Sequence, residues 1–262
     1  MNIAIITGAS SGMGKEFALQ LSKKETFDEI WVIARRMEAL QALQAQIACP
    51  VVPISLDLCD SRSFDAYEAL LKEKRPNVLV LVNAAGFGKF GKWENISLED
   101  CNRMIDLNCK ALLNITQLTV PYMKPGSKIV ELDSLSAFQP VPFITVYGAT
   151  KSFVLSYSRA MGRELAPRGI RVMAVSPGWV KTEFFSHAFT SNQSDVQYFN
   201  RLYEAKDVVT TAIRDLYHSR KDVSIHGLPV KAQVLGVKLL PHSLIMSIWQ
   251  NQQKKKKNVP EH

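Results

Sequence analysis

Residues 2 to 14 read Asn-Ile-Ala-Ile-Ile-Thr-Gly-Ala-Ser-Ser-Gly-Met-Gly, and this stretch decides the fold. Asn2 to Ile6 form a short, mostly apolar run, long enough for one buried strand. Thr7 to Gly14 follow as a strand-to-helix turn, and Lys15 to Lys24 as a helix with Phe17, Ala18 and Leu21 facing inward. Gly8, Gly12 and Gly14 then have separate physical jobs: a tight turn, close backbone approach to a pyrophosphate, and tight helix–sheet packing. A helix N-terminus adds unpaired N–H groups and a positive dipole end for phosphates, beside Ser10, Ser11 and Met13. The spacing is G-x-x-x-G-x-G rather than G-x-G-x-x-G, so the place between strand and helix carries the reading.

Working outward, Glu29 to Ala34 form a second strand. An acid about 20 residues past such glycines binds the ribose 2′-hydroxyl of NAD. That place holds Ala34, followed by Arg35 and Arg36. No carboxylate repels a 2′-phosphate there and a guanidinium can hold one, so NADP(H) is expected ahead of NAD(H). The plainer alternative makes both arginines surface charges opening the next helix. Residues 77 to 82, 127 to 132 and 170 to 175 are further short apolar strands with helical stretches between them. That alternation predicts an α/β fold: a single-domain, Rossmann-type doubly wound parallel sheet with helices on both faces and its site at the strand C-terminal ends.

Tyr147 and Lys151 stand four residues apart in Tyr-Gly-Ala-Thr-Lys, thirteen residues after Ser134. On a helix, positions i and i+4 share a face, so a phenol and an ammonium can share a pocket. The ammonium favours the phenolate, and a serine hydroxyl can hydrogen-bond a reacting oxygen. Alone, such a pair is more often a half-buried tyrosine beside a snorkelling lysine. The ordered set around it is what favours chemistry.

Taken together, Thr7 to Gly14, Asp57, Asn83-Ala84-Ala85-Gly86, Asn108, Ser134, Tyr147, Lys151 and Ser176-Pro177-Gly178 with Thr182 resemble the short-chain dehydrogenase/reductase family over about residues 1 to 185. The resemblance implies that Tyr147 is the general acid/base, Ser134 (with Ser136 as fallback) polarises the substrate oxygen, and Lys151 lowers the tyrosine pKa and holds the nicotinamide ribose. Asn108 would anchor a relay water, Asp57 and Leu58 would meet the adenine, and Asn83, Ala84 and Gly86 would line the cofactor cleft. Pro177, Gly178, Val180 and Thr182 would hold the nicotinamide end. Two duller readings stand beside these: Asn108 satisfying backbone groups in a kinked helix, and Asp57 capping the helix that begins near Ser61.

The family likeness also implies a substrate wall and a lid over about residues 183 to 205. Phe138, Phe143, Trp179, Phe184 and Phe185 are the candidate substrate residues, and so many aromatics suggest a bulky apolar ketone or alcohol. A hydroxysteroid or sterol-derived acid leads this reading, with a 3-oxoacyl thioester as the alternative. From another class, the chain could be a non-catalytic dinucleotide-binding regulatory protein.

The 262 residues fit one domain: a catalytic unit over 1–229, a helical extension over 230–253 broken at Pro241, and a basic tail over 254–262. The extension resembles the ending of family members that act on steroid-like or fatty acyl substrates. It reads as a pocket cover or a subunit contact ahead of a membrane-surface helix. A homodimer or homotetramer is expected. Part of the net charge of +8 comes from the Lys254–Lys257 run, read as a solvated terminus, and no nucleic-acid partner is expected. Cys49, Cys59, Cys101 and Cys109 show no paired spacing, so no metal is expected and a reducing cytoplasm fits.

Overall fold

The structure is a computed structural model that describes residues 1–189 and 195–254. Part of the expected lid and the tail beyond Lys254 lie outside the described residues. The strands are β1 (Asn2–Thr7), β2 (Glu29–Ala34), β3 (Val51–Ser55), β4 (Asn77–Asn83), β5 (Lys128–Leu132), β6 (Arg171–Val175), β7 (Trp179–Lys181), β8 (Leu202–Glu204) and β9 (Val223–Ser224). Seven form one sheet in the order β3-β2-β1-β4-β5-β6-β9, with every pair parallel. The order reverses between β1 and β4, which opens a crevice beyond their C-terminal ends.

Both faces of the sheet are covered, which is why its strands are apolar without alternation. On one side Ala4 and Ile6 of β1 pack against α1 (Gly12–Lys24), through Phe17, Ala18 and Leu21. The short α2 (Met37–Gln41) adds Leu40 to that face. On the other side Ile3 and Ile5 meet Tyr67 and Leu71 of α3 (Arg62–Lys74). After α4 (Leu98–Ile105) a π turn over Asp106–Ala111 leads into α5 (Leu112–Thr119), whose Ile115 joins this second layer. The long α6 (Thr145–Leu165) completes it with Met161 and Leu165.

Buried positions on α6 run Tyr147, Lys151, Val154, Ser158, Met161 and Leu165, a stripe at helical spacing. One end of that stripe is core and the other end is site. The short α7 (Phe184–Ala188) follows β7, and α8 (Ala205–His218) returns to pack on α1. Pro241 separates α9 (Leu228–Leu239) from α10 (His242–Lys254), as its missing N–H and fixed φ predict.

Three features were not expected from the sequence. The helix α1 starts at Gly12 rather than Lys15. Val223–Ser224 pairs with β6 as a seventh strand. Trp179–Lys181 and Leu202–Glu204 form a separate two-stranded parallel sheet that ties the stretch before α7 to the start of α8.

Candidate active site

A cavity of about 650 Å³ runs along the strand C-terminal ends, from Arg35 and Arg36 to Trp249. Its cofactor end is made of backbone. Gly8 has φ +67, and a Cβ there would sit 2.7 Å from the Ala85 nitrogen. A Cβ on Gly14 would sit 2.2 Å from the Gly8 carbonyl oxygen, so helix and turn touch at that point. Thr7 Oγ1 accepts from the N–H groups of Ala84 and Ala85, both at 3.1 Å, and clips the β4 loop to the β1 loop. Gly12 has φ +53, and a side chain there would press on Thr182 at 3.1 Å from Cγ2, filling the gap between turn and substrate segment.

Ser10, Ser11, Gly12, Met13, Gly14, Asp57, Leu58, Ala84, Gly86, Pro177, Gly178, Val180 and Thr182 all line this cavity, as do Arg35 and Arg36. A glycine cradle at a helix N-terminus with a guanidinium at its far edge fits a dinucleotide. The Arg36 Nη2 group donates to Ser10 Oγ at 3.2 Å and pairs with Glu183 Oε2 at 2.8 Å. Asp57 does not cap α3: its Oδ1 accepts from the Cys59 N–H at 3.0 Å, while Asp60 accepts from the Arg62 N–H at the start of the helix.

Ser134, Tyr147 and Lys151 come together at the middle of the cavity. Ser134 is extended (φ −159, ψ 156) after β5 and opens a 3₁₀ turn over Leu135–Phe138; its Oγ accepts from the Ser136 N–H at 3.2 Å. Burial pushes the Tyr147 phenol well above the usual tyrosine range, and its hydrogen bond with Ser134 pulls the other way. The expected lowering by Lys151 is not what dominates here. Lys151 Nζ donates to the Leu132 carbonyl at 2.7 Å and lies 5.7 Å from the tyrosine ring centroid. Burial lowers the pKa of that ammonium, against the pull of Asp133, Cys109 and Glu131.

Four sequence candidates sit elsewhere. Asn108 lies behind the cavity wall, where the π turn aims it at the loop after β4. Its Oδ1 accepts from the Phe87 N–H at 3.0 Å, and its Nδ2 donates to the Phe87 carbonyl and to Thr150 Oγ1 at 2.9 and 3.0 Å. Both ends of the amide are engaged, so the side chain acts as a clamp on that loop. Asn83 points under the sheet, donating to Thr116 Oγ1 at 2.9 Å, and does not line the cleft. Phe138 lies outside the cavity lining, with Lys238 Nζ 5.6 Å from its ring centroid. Phe143 takes φ +69 to turn the chain, and its carbonyl accepts from the Gly91 N–H instead. The remaining substrate candidates, Trp179, Phe184 and Phe185, do line the cavity.

Four apolar residues that line the cavity near Tyr147 were not among the sequence candidates: Phe90, Val141, Ile144 and Trp249. Phe90 stands edge-on to Tyr147 (centroids 5.9 Å apart, 70°) and to Trp179 (6.0 Å, 77°). Its N–H donates to the Ala188 carbonyl at 2.8 Å, joining the β4 loop to the end of α7. Gly88 makes room for the neighbouring rings: a Cβ there would meet Tyr147 Cδ2 at 2.8 Å and Phe184 Cζ at 2.9 Å. The Phe-Gly-Lys-Phe-Gly run after Gly86 was the available signal. Val141, Ile144 and Trp249 complete the wall; Trp249 Nε1 donates to the Pro142 carbonyl at 2.9 Å, and its ring stacks at 6.4 Å on Trp179. The buried Asp133 also lines the cavity; Ser176 donates to its Oδ2 at 2.7 Å, and burial raises its carboxyl to about 7.

With this geometry in place, the comparisons define the class. The short chain dehydrogenase family pattern matches residues 2–193, and the chain belongs to that family. It is 31% identical over 249 residues to serine 3-dehydrogenase of Agrobacterium fabrum, covering 91% of this chain and 98% of that one. A sulfoacetaldehyde reductase of Chromohalobacter salexigens is 34% identical over 185 residues, 68% of this chain and 72% of its own. Among solved structures, a short-chain dehydrogenase from Sphingobium yanoikuyae in complex with NADPH superposes with a TM-score of 0.77 at 27% identity, covering 100% of this chain and 99% of that chain. The protein is therefore an oxidoreductase of CH–OH and C=O groups that uses a nicotinamide dinucleotide.

Proposed function

We propose that this enzyme prefers NADP(H) and interconverts a bulky apolar ketone with its secondary alcohol, a ring ketone of the steroid type being the first to test. The observation that carries the reading is the wall around Tyr147: Phe90, Val141, Ile144, Trp179, Phe184 and Trp249 surround the phenol with apolar surface. A small polar substrate such as serine would leave most of that surface facing water. Gln139 Oε1 has no partner among the described residues and lines the same space, so it suits a donor group on the substrate. Lys89 also lines the cavity and favours an acid-bearing version of the substrate. The NADP preference rests on Arg35 and Arg36 at the cradle's far edge, with no acid at Ala34.

When bound, the nicotinamide supplies or accepts the hydride. The chain's own residues do the rest. Ser134 orients the substrate oxygen by hydrogen bonding, and Tyr147, protonated across the neutral range because its pKa is raised, gives that oxygen its proton during reduction. Alcohol oxidation needs the phenolate, so its rate climbs with alkaline pH. Lys151 fixes the geometry from the next helical turn, and the aromatic wall excludes water. Four free cysteines fit a reducing cytoplasm.

The test follows oxidation of NADPH and of NADH with oxosteroids, 3-oxoacyl thioesters, serine-type hydroxy acids and sulfoacetaldehyde. Turnover of an apolar ring ketone with NADPH, falling roughly 10²- to 10⁴-fold in Tyr147→Phe while NADPH binding persists, is the expected result. Faster turnover of the small polar substrates would overturn the substrate reading but not the reaction class.

A further inference from the structure

We propose that the outer face of α9 and α10 rests on an anionic lipid surface, holding the enzyme peripherally with its substrate wall beside the bilayer. The inference stands apart from the choice of substrate, because it comes from the opposite side of these helices.

Between Val223 and Pro260 the chain contains no aspartate or glutamate, although it has 24 acidic residues in all. The same stretch carries Lys231, Lys238 and the Lys254–Lys257 run. At about 100° per residue, Leu228, Leu235 and Leu239 fall within roughly 40° of one line along α9. These residues are 79%, 61% and 75% exposed. Val230, Val234 and Val237, on the opposite side, are buried. Lys231 and Lys238 flank the leucine line at about 60–80°, close enough for their stems to lie along it and their ammonium groups to reach outward. Leu240 before the Pro241 break, and Leu244 and Ile248 one turn apart on α10, are exposed as well.

Isolated exposed leucines are ordinary, but three in line on α9, followed by three more exposed apolar residues at Leu240, Leu244 and Ile248, make a contact surface. Charge decides what it contacts. A second copy meeting through this face would set lysines against lysines, with no acid on either helix to pair them. An anionic headgroup layer supplies the missing negative charge, and these leucines and the isoleucine enter the acyl boundary. None of the described helices is long and apolar enough to cross a membrane, so the contact is with the surface. The inner side of the same helices gives Gln233 and Trp249 to the cavity, and Gln253 Oε1 accepts from the N–H groups of Gln197 and Tyr198 at 2.9 and 3.0 Å. Lipid contact and pocket wall are thus two faces of one layer, which places the wall where an apolar substrate partitions.

The experiment is sedimentation of the full chain with phosphatidylglycerol/phosphatidylcholine vesicles, and with phosphatidylcholine alone, at low and high salt. Expected is binding to the anionic vesicles that weakens in salt and on neutral lipid, and that drops about tenfold or more in a Leu235→Ser, Leu239→Ser double variant. A Lys231→Gln, Lys238→Gln variant keeps both leucines and should lose part of the salt-sensitive binding. Both variants leave the cavity untouched, so their NADPH oxidation with a water-soluble ketone reports that they fold. Absence of binding to anionic vesicles at low salt would overturn the proposal, as would equal binding by the leucine variant. Conversion of a dimer into a monomer by the leucine substitutions, without vesicle binding by the parent, would assign the face to a second copy and overturn it too.

Discussion

The two ends of the cavity are built differently. The cofactor end comes from consecutive or neighbouring loops, Thr7–Gly14 after β1 and Ala84–Gly86 after β4, and its surface is largely main chain. The other end, the proposed substrate end, is assembled from segments far apart in sequence: Phe90, Val141, Ile144, Trp179, Phe184 and Trp249, and its surface is side chain. A backbone surface needs glycines at fixed positions, because any Cβ collides. A side-chain surface needs only apolar groups of roughly the right size, which many residues supply. The first kind of site tolerates almost no substitution at its key points; the second accepts exchanges of similar size, and each exchange alters the shape offered to a ligand. That contrast bears on a chain similar to enzymes named for serine and for sulfoacetaldehyde, whose own cavity carries an aromatic wall around Tyr147.

The sharpest attempt to break this comparison is Gly14→Ala. If the cofactor end is set by backbone contact, one methyl group there must push the turn apart, since it would stand 2.2 Å from the Gly8 oxygen and 2.7 Å from its carbonyl carbon. Neither atom belongs to a side chain that can swing away. We expect loss of measurable NADPH binding by fluorescence titration and destabilisation of about 2–4 kcal/mol by urea unfolding. Normal NADPH affinity in this variant would show that the turn is soft and the contrast false.

The difference between the two ends also explains how far the sequence could be read. The parallel sheet followed from strands that are apolar on both faces, such as Ile3–Ile6 and Ile30–Ile33, alternating with helical stretches. The cradle followed from glycine spacing, and the Ser134–Tyr147–Lys151 group from helical spacing joined to a family likeness. Phe138 and Phe143 were expected in the wall from the family likeness of their segment, but neither lines the cavity: Phe138 ends a 3₁₀ turn, and Phe143, in a left-handed conformation, packs behind the cluster around Tyr147. Phe90 and Trp249 escaped selection as site residues because their positions depend on tertiary closure: a backbone bond to Ala188 in one case and an indole bond to Pro142 in the other. Asn83 and Asn108 show a further limit. A motif can mark a residue that holds the site together from behind rather than one that faces the ligand.

A smaller effect is expected at the substrate end from Trp249→Ala. Trp249 is nearly buried against Trp179, so removing it leaves a gap and costs about 3 kcal/mol of stability if the site cannot collapse. The functional consequence should be confined to this end. KM for the preferred ketone should rise and preference should move toward bulkier ketones, while the NADPH dissociation constant stays within about twofold. A large loss of NADPH affinity would mean that the two ends are coupled through the body of the enzyme and are not separable sites.

The subtlest test, read in a slope and not in a loss, concerns Asp133, which sits where the two ends meet and belongs fully to neither. It is faced by Ser176 from the end of β6, by Lys151, Tyr147 and Arg159 from α6, and by the Ser134 N–H on its own segment. Burial outweighs these partners and raises its pKa from an ordinary 3.8 to about 7. Between those values the folded chain keeps a proton that the unfolded chain releases, so the Asp133 contribution makes stability fall as pH rises through that window and stay level above it. The slope cannot exceed one proton, about 1.4 kcal/mol per pH unit. Asp133→Asn keeps an acceptor for the Ser176 hydroxyl and removes the titration. Thermal melts from about pH 4 to 8 should therefore show a flatter decline for the variant than for the parent. Glu131, buried on the same strand and raised to about 8, titrates in the same direction. Glu131→Gln should flatten a window that reaches higher, which separates the two acids. Parallel melting curves for parent and Asp133→Asn would show that Lys151 keeps this carboxylate charged, and the junction would then hold a buried ion pair in place of a neutral acid.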